Sequence, residues 1–421
     1  MSTTDTSTTG AETPQTGRQS LGTVFQDYRA RIRGGDVGAL PALAGVIVLA
    51  VVFTVLSGND FTNAYNFSNL ILQGSAIAVF AMGLVFVLLL GEIDLSAGYA
   101  GGVCAAFVGK LMNDHGFNWV LALLGGILLG ALIGLVIGLL VSRLGVPSFV
   151  VTLAFFLALQ GVLLLMTGAG GTIPYRDSHI LAIMNKNMPI WLGWTFALVT
   201  VVAFAALGFS RRLQRQRAGL QTPPLLVWVL KSAAFTALVV AATIYLSRER
   251  SRNVFLASLK GVPIVIVIVA GLLVVLTFVL TRTPWGRHVY AVGGNAEAAR
   301  RAGTNVAWVK ISCFMMCSTL AAVGGVLLAS RTNSVNPQTG GSDTLLFAVG
   351  AAVIGGTSLF GGKGRVLDAL LGASVIAIIT NGMTLQGQPQ GRVYMITGLV
   401  LLLAASVDAI SRRRAAASGG I

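Results

Sequence analysis

The chain has 421 residues, 55% of them hydrophobic and 10% charged, with a mean hydropathy of +0.82. Soluble globular domains carry about 25% charged residues, so this composition cannot cover a water-facing surface and requires a lipid-facing one. The formal charge of +15, from 29 Lys and Arg against 14 Asp and Glu, would ordinarily suggest nucleic acid. Here the basic residues fall in short connections between apolar runs, where they fix membrane orientation instead.

Residues 1–20 are polar and rich in Ser and Thr. They lack the apolar core of a cleavable signal peptide, and residues 1–40 are expected to form a largely disordered cytoplasmic tail. A bilayer-crossing helix needs about 20 apolar residues. Twelve runs approach that length: 41–57, 70–90, 95–112, 119–141, 148–167, 190–209, 225–246, 261–281, 309–330, 344–359, 366–385 and 393–410. The expected fold is all-α, a polytopic transmembrane helix bundle of about 10–12 spans. Two runs are weak as spans: 148–167 follows Gly145 and Pro147, and 344–359 contains Gly350, Gly355 and Gly356. Both are candidates for re-entrant or broken segments, which are tolerated where protein buries the backbone. The transmembrane domain is expected over 41–410, with a C-terminal cytoplasmic tail at 411–421.

With both termini inside and each run crossing once, 19 basic residues fall inside and 9 outside, the bias expected of that orientation. The exception is 247–260, whose four basic residues fall outside; if 225–246 does not cross, the topology beyond it inverts. The run 119–141 carries Gly126, Gly130, Gly134 and Gly138 at four-residue spacing, after Gly125. Such a ladder lets helix backbones approach closely in lipid, where packing replaces the hydrophobic drive.

Four features invite a chemical reading. Gly91-Glu92-Ile93-Asp94-Leu95-Ser96-Ala97-Gly98 places two carboxylates beside membrane spans, which makes them functional candidates. Asp94 or Ser96 is expected to cap the helix beginning near Leu95. A proton relay through Glu92 competes with that reading, although no His, Lys or carboxylate stands at obvious depth in a neighbouring run. The inside loop 282–308 holds a compact helix at 296–302, with Asn295 as its cap, Glu297 in the first turn, Arg300 and Arg301 near the end and Gly303 as its stop. A short capped helix below the membrane suits a groove on a cytoplasmic partner, and it equally suits an ordered connector. Gly355 to Arg365 fails the phosphate-loop pattern, because Thr357 stands where a glycine is required and Gly364 where Ser or Thr should follow Lys363. It reads as a tight glycine turn, so the chain carries no ATP site of its own. The polar outside segment 168–189 is a gate, a docking surface or a plain loop. Cys104, Cys313 and Cys317 lie in apolar runs and form no metal spacing or disulfide framework. His115, His179 and His288 are isolated, so no catalytic constellation, metal site or cofactor is expected.

Taken together, Gly91–Gly98, Gly145–Leu153, Gly168–Pro174, Trp285–Gly303 and Gly355–Arg365, with the last two runs, resemble the permease subunits of bacterial sugar ABC importers. That family includes the ribose, galactose and xylose permeases, and the likeness covers residues 70 to 410. The xylose type is the most similar, since the chain carries an additional stretch at about 205–260. The resemblance implies a multi-pass protein of the bacterial inner membrane that is not itself an enzyme. It implies an extracytoplasmic sugar-binding protein that delivers a monosaccharide, a second permease chain, and cytoplasmic ATP-binding subunits that drive alternating access. Carried onto this sequence, Gly294, Asn295, Glu297, Ala298, Arg300, Arg301 and Gly303 form the ATPase-coupling segment. Gln73, Thr152, Gln160 and Asn381 are candidates to line the sugar path, with interhelical hydrogen bonding as the competing role. A proton-coupled secondary transporter using Glu92 or Asp94 is the alternative; it predicts carboxylates deep in the spans and inverted repeats with interrupted helices.

Overall fold

Each of the twelve apolar runs forms a helix in the computed structural model: α1 (Leu40–Ser57), α3 (Ala64–Leu89), α4 (Ala97–Asn113), α5 (Trp119–Ser142), α6 (Ser148–Thr167), α8 (Ile190–Arg217), α9 (Leu225–Leu246), α10 (Val265–Arg282), α13 (Val306–Thr332), α14 (Ser342–Gly355), α15 (Val366–Leu385) and α16 (Gln390–Ala417). Short helices sit between them: α2 (Asn59–Thr62), α7 (Ser178–Asn185), α11 (Pro284–Gly294) and α12 (Ala296–Arg301). The structure describes residues 40–168, 170–220, 222–251 and 258–417. The N-terminal tail up to residue 39, Arg252 and residues 418–421 lie outside the described residues, as do the side chains of the three C-terminal arginines.

Among the described residues ten helices are long and apolar enough to cross a membrane, α9 among them; α4 and α14, at 17 and 14 residues, fall short of that length. The break considered at 148–167 is absent. Pro147 is the N-cap of α6, and the helix then runs uninterrupted for 20 residues. Proline is tolerated at a helix start, where its missing N–H removes no intrahelical bond.

The described residues of 37–190 and 245–421 make up one compact unit, built around α13. The glycine ladder of α5 runs along α13. A Cβ on Gly134 would lie 2.4 Å from the Phe314 carbonyl oxygen, and one on Gly138 would lie 2.7 Å from Ile311 Cα. Packing this close, with no side chain between the backbones, is what small residues permit between helices in lipid. The three cysteines are buried. Asn66 on α3 and Asn381 on α15, each 4% exposed, exchange reciprocal amide hydrogen bonds of 2.9 and 2.8 Å.

At one end of α13 the segment 170–189 is folded. Ile173–Pro174 (β1) pairs antiparallel with Ser334–Val335 (β2), after Asn333 reverses the chain in the left-handed conformation at φ 58°. Asp177 caps α7, accepting from the amides of His179 and Ile180. The Ser330 hydroxyl donates to the Ile180 carbonyl at 2.7 Å, and the Asn185 amide donates to the Ser330 carbonyl at 2.7 Å. Nearby, Arg250 is 7% exposed and donates to the carbonyls of Leu246 and Gly261, both at 2.9 Å.

Residues 191–244 form a second unit, an α8–α9 hairpin. Phe204 stacks on Phe235 with centroids 4.2 Å apart, and Phe209 meets Trp228 at 5.4 Å. Trp228 Nε1 donates to the Ala205 carbonyl at 3.2 Å.

Candidate functional site

The site grows from one stretch, 283–310, in which three capped helices follow each other almost without linkers. Thr283 caps α11, its hydroxyl accepting from Gly286 N at 3.1 Å, and Pro284 takes the first helical position, where its missing N–H is one of the orphans anyway. Asn295, at φ −158° and ψ 102°, caps α12 by accepting from Ala298 N at 2.9 Å. Gly303, at φ 86°, ends it, with its amide donating to the Arg300 carbonyl at 3.0 Å. Asn305 then caps α13 through Trp308 N at 3.0 Å. The loop thus folds as the sequence predicts, with α12 over Ala296–Arg301.

Within α12, Ala299 is the buried face, at 5% exposure. Glu297, Arg300 and Arg301 all project from the surface. Glu297 holds both arginines at once, Arg300 Nη1 at 2.8 Å and Arg301 Nε at 3.2 Å. Exposed pairs of this kind add only about 0.3–0.5 kcal/mol each. Their effect here is to order three charged side chains into one patch.

This patch is tied to the membrane-spanning helices at several points. Trp285 Nε1 donates to the Ser312 hydroxyl at 2.7 Å, and its ring packs on Phe86 at 5.8 Å. Tyr290 donates its hydroxyl to the Gly364 carbonyl at 2.7 Å. Burial, with the Asp368 charge beside it, pushes the Tyr290 pKa up, so the hydroxyl keeps its donor proton at neutral pH. Gly293 touches the end of α3 so closely that a Cβ would sit 1.8 Å from the Leu89 carbonyl oxygen. The same carbonyl accepts from Gly362 N at 2.8 Å. Gly361 and Gly362, at φ 83° and 72°, supply the left-handed backbone that this turn needs and that other residues rarely adopt. The Gly91–Gly98, 282–308 and Gly355–Arg365 motifs therefore meet at one end of the bundle.

Glu92 departs from expectation. Lys310, on the first turns of α13, forms an ion pair with it. The expectation that no His, Lys or carboxylate stands at obvious depth in a neighbouring run is therefore overturned for Lys310. The pair is largely shielded, with side-chain exposures of 17% for Glu92 and 24% for Lys310. It lines a cavity of about 510 Å³ with Pro147, Ser148, Ala296 and Arg300. The cavity thus separates α12 from the 91–96 turn, with a charged group on either side of it.

The 91–96 turn is braced from α6. Ser148 accepts from Ile93 N at 3.4 Å, and the fully buried Thr152 donates to the Ile93 carbonyl at 3.3 Å. Asp94 is also fully buried; one of its oxygens accepts from both the amide and the hydroxyl of Ser96, at 2.9 and 2.6 Å. The carboxylate thus closes a turn of the kind Asp side chains make with the backbone two residues on. Ser96 occupies the N-cap position of α4 but makes no side-chain capping bond. Gly98 lies in the first turn of α4 rather than in the preceding turn. A Cβ there would come within 2.2 Å of the Gly340 carbonyl oxygen.

Of the four path candidates, Thr152 and Asn381 are buried and hydrogen-bonded between segments, the competing role. Gln73 is half-buried and Gln160 exposed. No group of His, Cys, Asp and Glu able to hold a metal occurs among the described residues.

The capped helix α12 thus stands exposed at one end of a bundle of apolar helices, with the chain on either side of it braced against them. Residues 66–405 match the family described as branched-chain amino acid transport system / permease component, and the chain belongs to that family. Its sequence is similar to the xylose transport system permease protein of Escherichia coli (strain K12), 34% identical over 88% of this chain and 92% of the relative. It is 31% identical to the ribose import permease protein of the same strain, over 87% of this chain and 92% of that one. A fructose import permease protein of Rhizobium meliloti is 28% identical, over 89% and 87%. No solved structure matches the chain.

Proposed function

We propose that this chain is the permease subunit of an ATP-driven importer that carries a monosaccharide, of the xylose type, across the cytoplasmic membrane. The observation that carries the reading is α12: a rigidly capped helix that displays Glu297, Arg300 and Arg301 on the surface while the chain on either side of it is pinned to the spans. In this reading both termini and α12 are cytoplasmic, and Gly294, Asn295, Glu297, Ala298, Arg300, Arg301 and Gly303 contact an ATP-binding subunit. Displacement of α12 passes through Trp285 to Phe86 on α3 and Ser312 on α13. Through Lys310 it reaches Glu92 and the 91–96 turn. Those connections let a nucleotide-dependent motion below the membrane re-pack the helices around the path, the two-state behaviour that alternating access requires.

At the opposite end, the folded 170–189 segment offers a binding protein a fixed surface in place of a loose loop. A second copy of the chain completes the path. Gln73 and Gln160 are its proposed polar lining, because an uncharged sugar needs hydrogen-bonding groups and no counter-ion.

The test is uptake of radiolabelled xylose into proteoliposomes holding this chain with its ATP-binding subunits and binding protein. Uptake that needs ATP, favours xylose over ribose and fructose, and is indifferent to a proton ionophore is expected. ATP-independent uptake abolished by the ionophore would instead support a proton-coupled carrier using Glu92 or Asp94.

A further inference from the structure

The α8–α9 hairpin carries a second constellation that sugar transport does not use. Its apolar stretch over 190–209 has 20 residues, about 30 Å of helix at 1.5 Å per residue and thus a full hydrocarbon crossing. Basic side chains begin immediately afterwards, with Arg211, Arg212 and Arg215 on α8, at the depth where lipid phosphates lie. Across the hairpin, Lys231 sits six residues into α9. That is about 9 Å along the axis, from where a lysine reaches back to the interface by extending its aliphatic stem.

Between these residues is a cavity of about 550 Å³, lined by Arg211, Arg212, Arg215, Lys231, Gln214 and Trp228. Trp228 forms its apolar wall. The ring is fixed by Phe209 and by its bond to the Ala205 carbonyl. It packs over Gly208, where a Cβ would come within 3.0 Å of two of its ring atoms. Arg212 donates to the Pro223 carbonyl and so holds the closing loop. Among the described residues no carboxylate lines the cavity, and the sequence contains neither Asp nor Glu between Asp177 and Glu249. Uncompensated cations gathered around a cavity at membrane-interface depth, above a hairpin whose outer surface is apolar, match one ligand chemistry: a phosphodiester carried on acyl chains.

We infer that this cavity binds the headgroup of an anionic phospholipid, with Arg211, Arg215 and Lys231 meeting the phosphate and Trp228 packing on the glycerol and upper acyl region. Arg212 positions the loop and contributes field. The acyl chains then lie along the apolar faces of α8 and α9. The site neither requires nor predicts a sugar, so it stands apart from the proposed import.

Native mass spectrometry of the full chain, purified in a non-ionic detergent and titrated with phosphatidylglycerol, phosphatidylcholine or inorganic phosphate, tests this. Phosphatidylglycerol is expected to add as a discrete lipid mass, with phosphatidylcholine binding about tenfold or more weakly and millimolar phosphate failing to displace the lipid. The triple substitution Arg211→Gln, Arg215→Gln, Lys231→Gln should remove that preference, and Arg211→Lys with Arg215→Lys should keep it. Equal binding of the two lipids, displacement by free phosphate, or an unchanged preference in the triple variant would overturn the assignment. Should the triple variant fail to fold, the lipid preference of the unmodified chain and the phosphate competition still decide the matter.

Discussion

Two helices of almost equal hydropathy, α9 and α13, have opposite fates. The most apolar stretch of α9 buries no residue, whereas two thirds of the corresponding stretch of α13 is buried. The difference lies in the neighbours. Opposite α13 stand Gly130, Gly134 and Gly138, which admit its backbone to contact distance. The α8–α9 pair instead meets through Phe204, Phe209, Trp228 and Phe235, whose rings hold the helices apart and leave a cavity near the turn. Hydropathy selects helices that enter the membrane; residue size decides which become core and which remain lipid-facing.

The sharpest way to break this contrast is to add bulk to the ladder. Gly134→Leu must displace Phe314 and Met315 backbone atoms within 2.4–2.6 Å of the new Cβ. Overpacking of that kind costs about 1–3 kcal/mol, and here more because backbone blocks the way. Thermal unfolding in detergent should show a collapsed transition, while Gly161→Leu, with nothing within 4 Å, should leave it nearly unmoved.

Lys310→Met follows. It strands Glu92 in a shielded position and should lower stability by about 1–3 kcal/mol. The added change Glu92→Gln should restore most of it, and a failure of the double variant to recover would remove the ion pair from the account. In the hairpin, Phe235→Leu loses only an aromatic pair, about 0.5–1.5 kcal/mol. The main transition should hardly shift, since the rest of the chain forms its own unit.

The smallest effect is local. Glu249 accepts from the amides of Leu259 and Ser251 and from the Ser258 hydroxyl, which lowers its pKa to about 2. A depressed carboxylate pKa stabilises the loop above the ordinary carboxylate range, and that contribution is lost as pH falls toward about 2. Pepsin cleavage near Leu259 should therefore rise steeply over that interval, and Glu249→Gln should flatten the profile.

Much of this architecture was legible in the sequence because it is local. Twelve apolar runs, the glycine spacing of α5 and the caps at Asn295 and Gly303 each depend on residues within a turn or two. What escaped depends on distant partners. Lys310 lies 218 positions from Glu92, and Asn66 lies 315 from Asn381, so no periodicity joins them. The sequence leaves the 168–189 segment open as a gate, a docking surface or a plain loop, because its order is supplied by Ser330, Asn333 and Val335. Residue type offers Asp94 or Ser96 as the cap of α4, yet the bonds between them close the preceding turn, a distinction that depends on dihedral angles and not on residue type.

In the proposed reading, α12 is where an ATP-binding subunit engages the permease. The most direct measurement is a pull-down from detergent-solubilised membranes with a tag on the polar N-terminus, comparing the unmodified chain with Glu297→Arg. Because Glu297 is exposed and pairs only with Arg300 and Arg301 among the described residues, the variant should insert and fold normally. The unmodified chain is expected to recover the ATP-binding subunit and the variant to lose about 90% or more of it, the effect of a buried charge mismatch at a docked helix. Equal recovery by both chains would contradict the assignment of α12, and recovery by neither would contradict the importer itself.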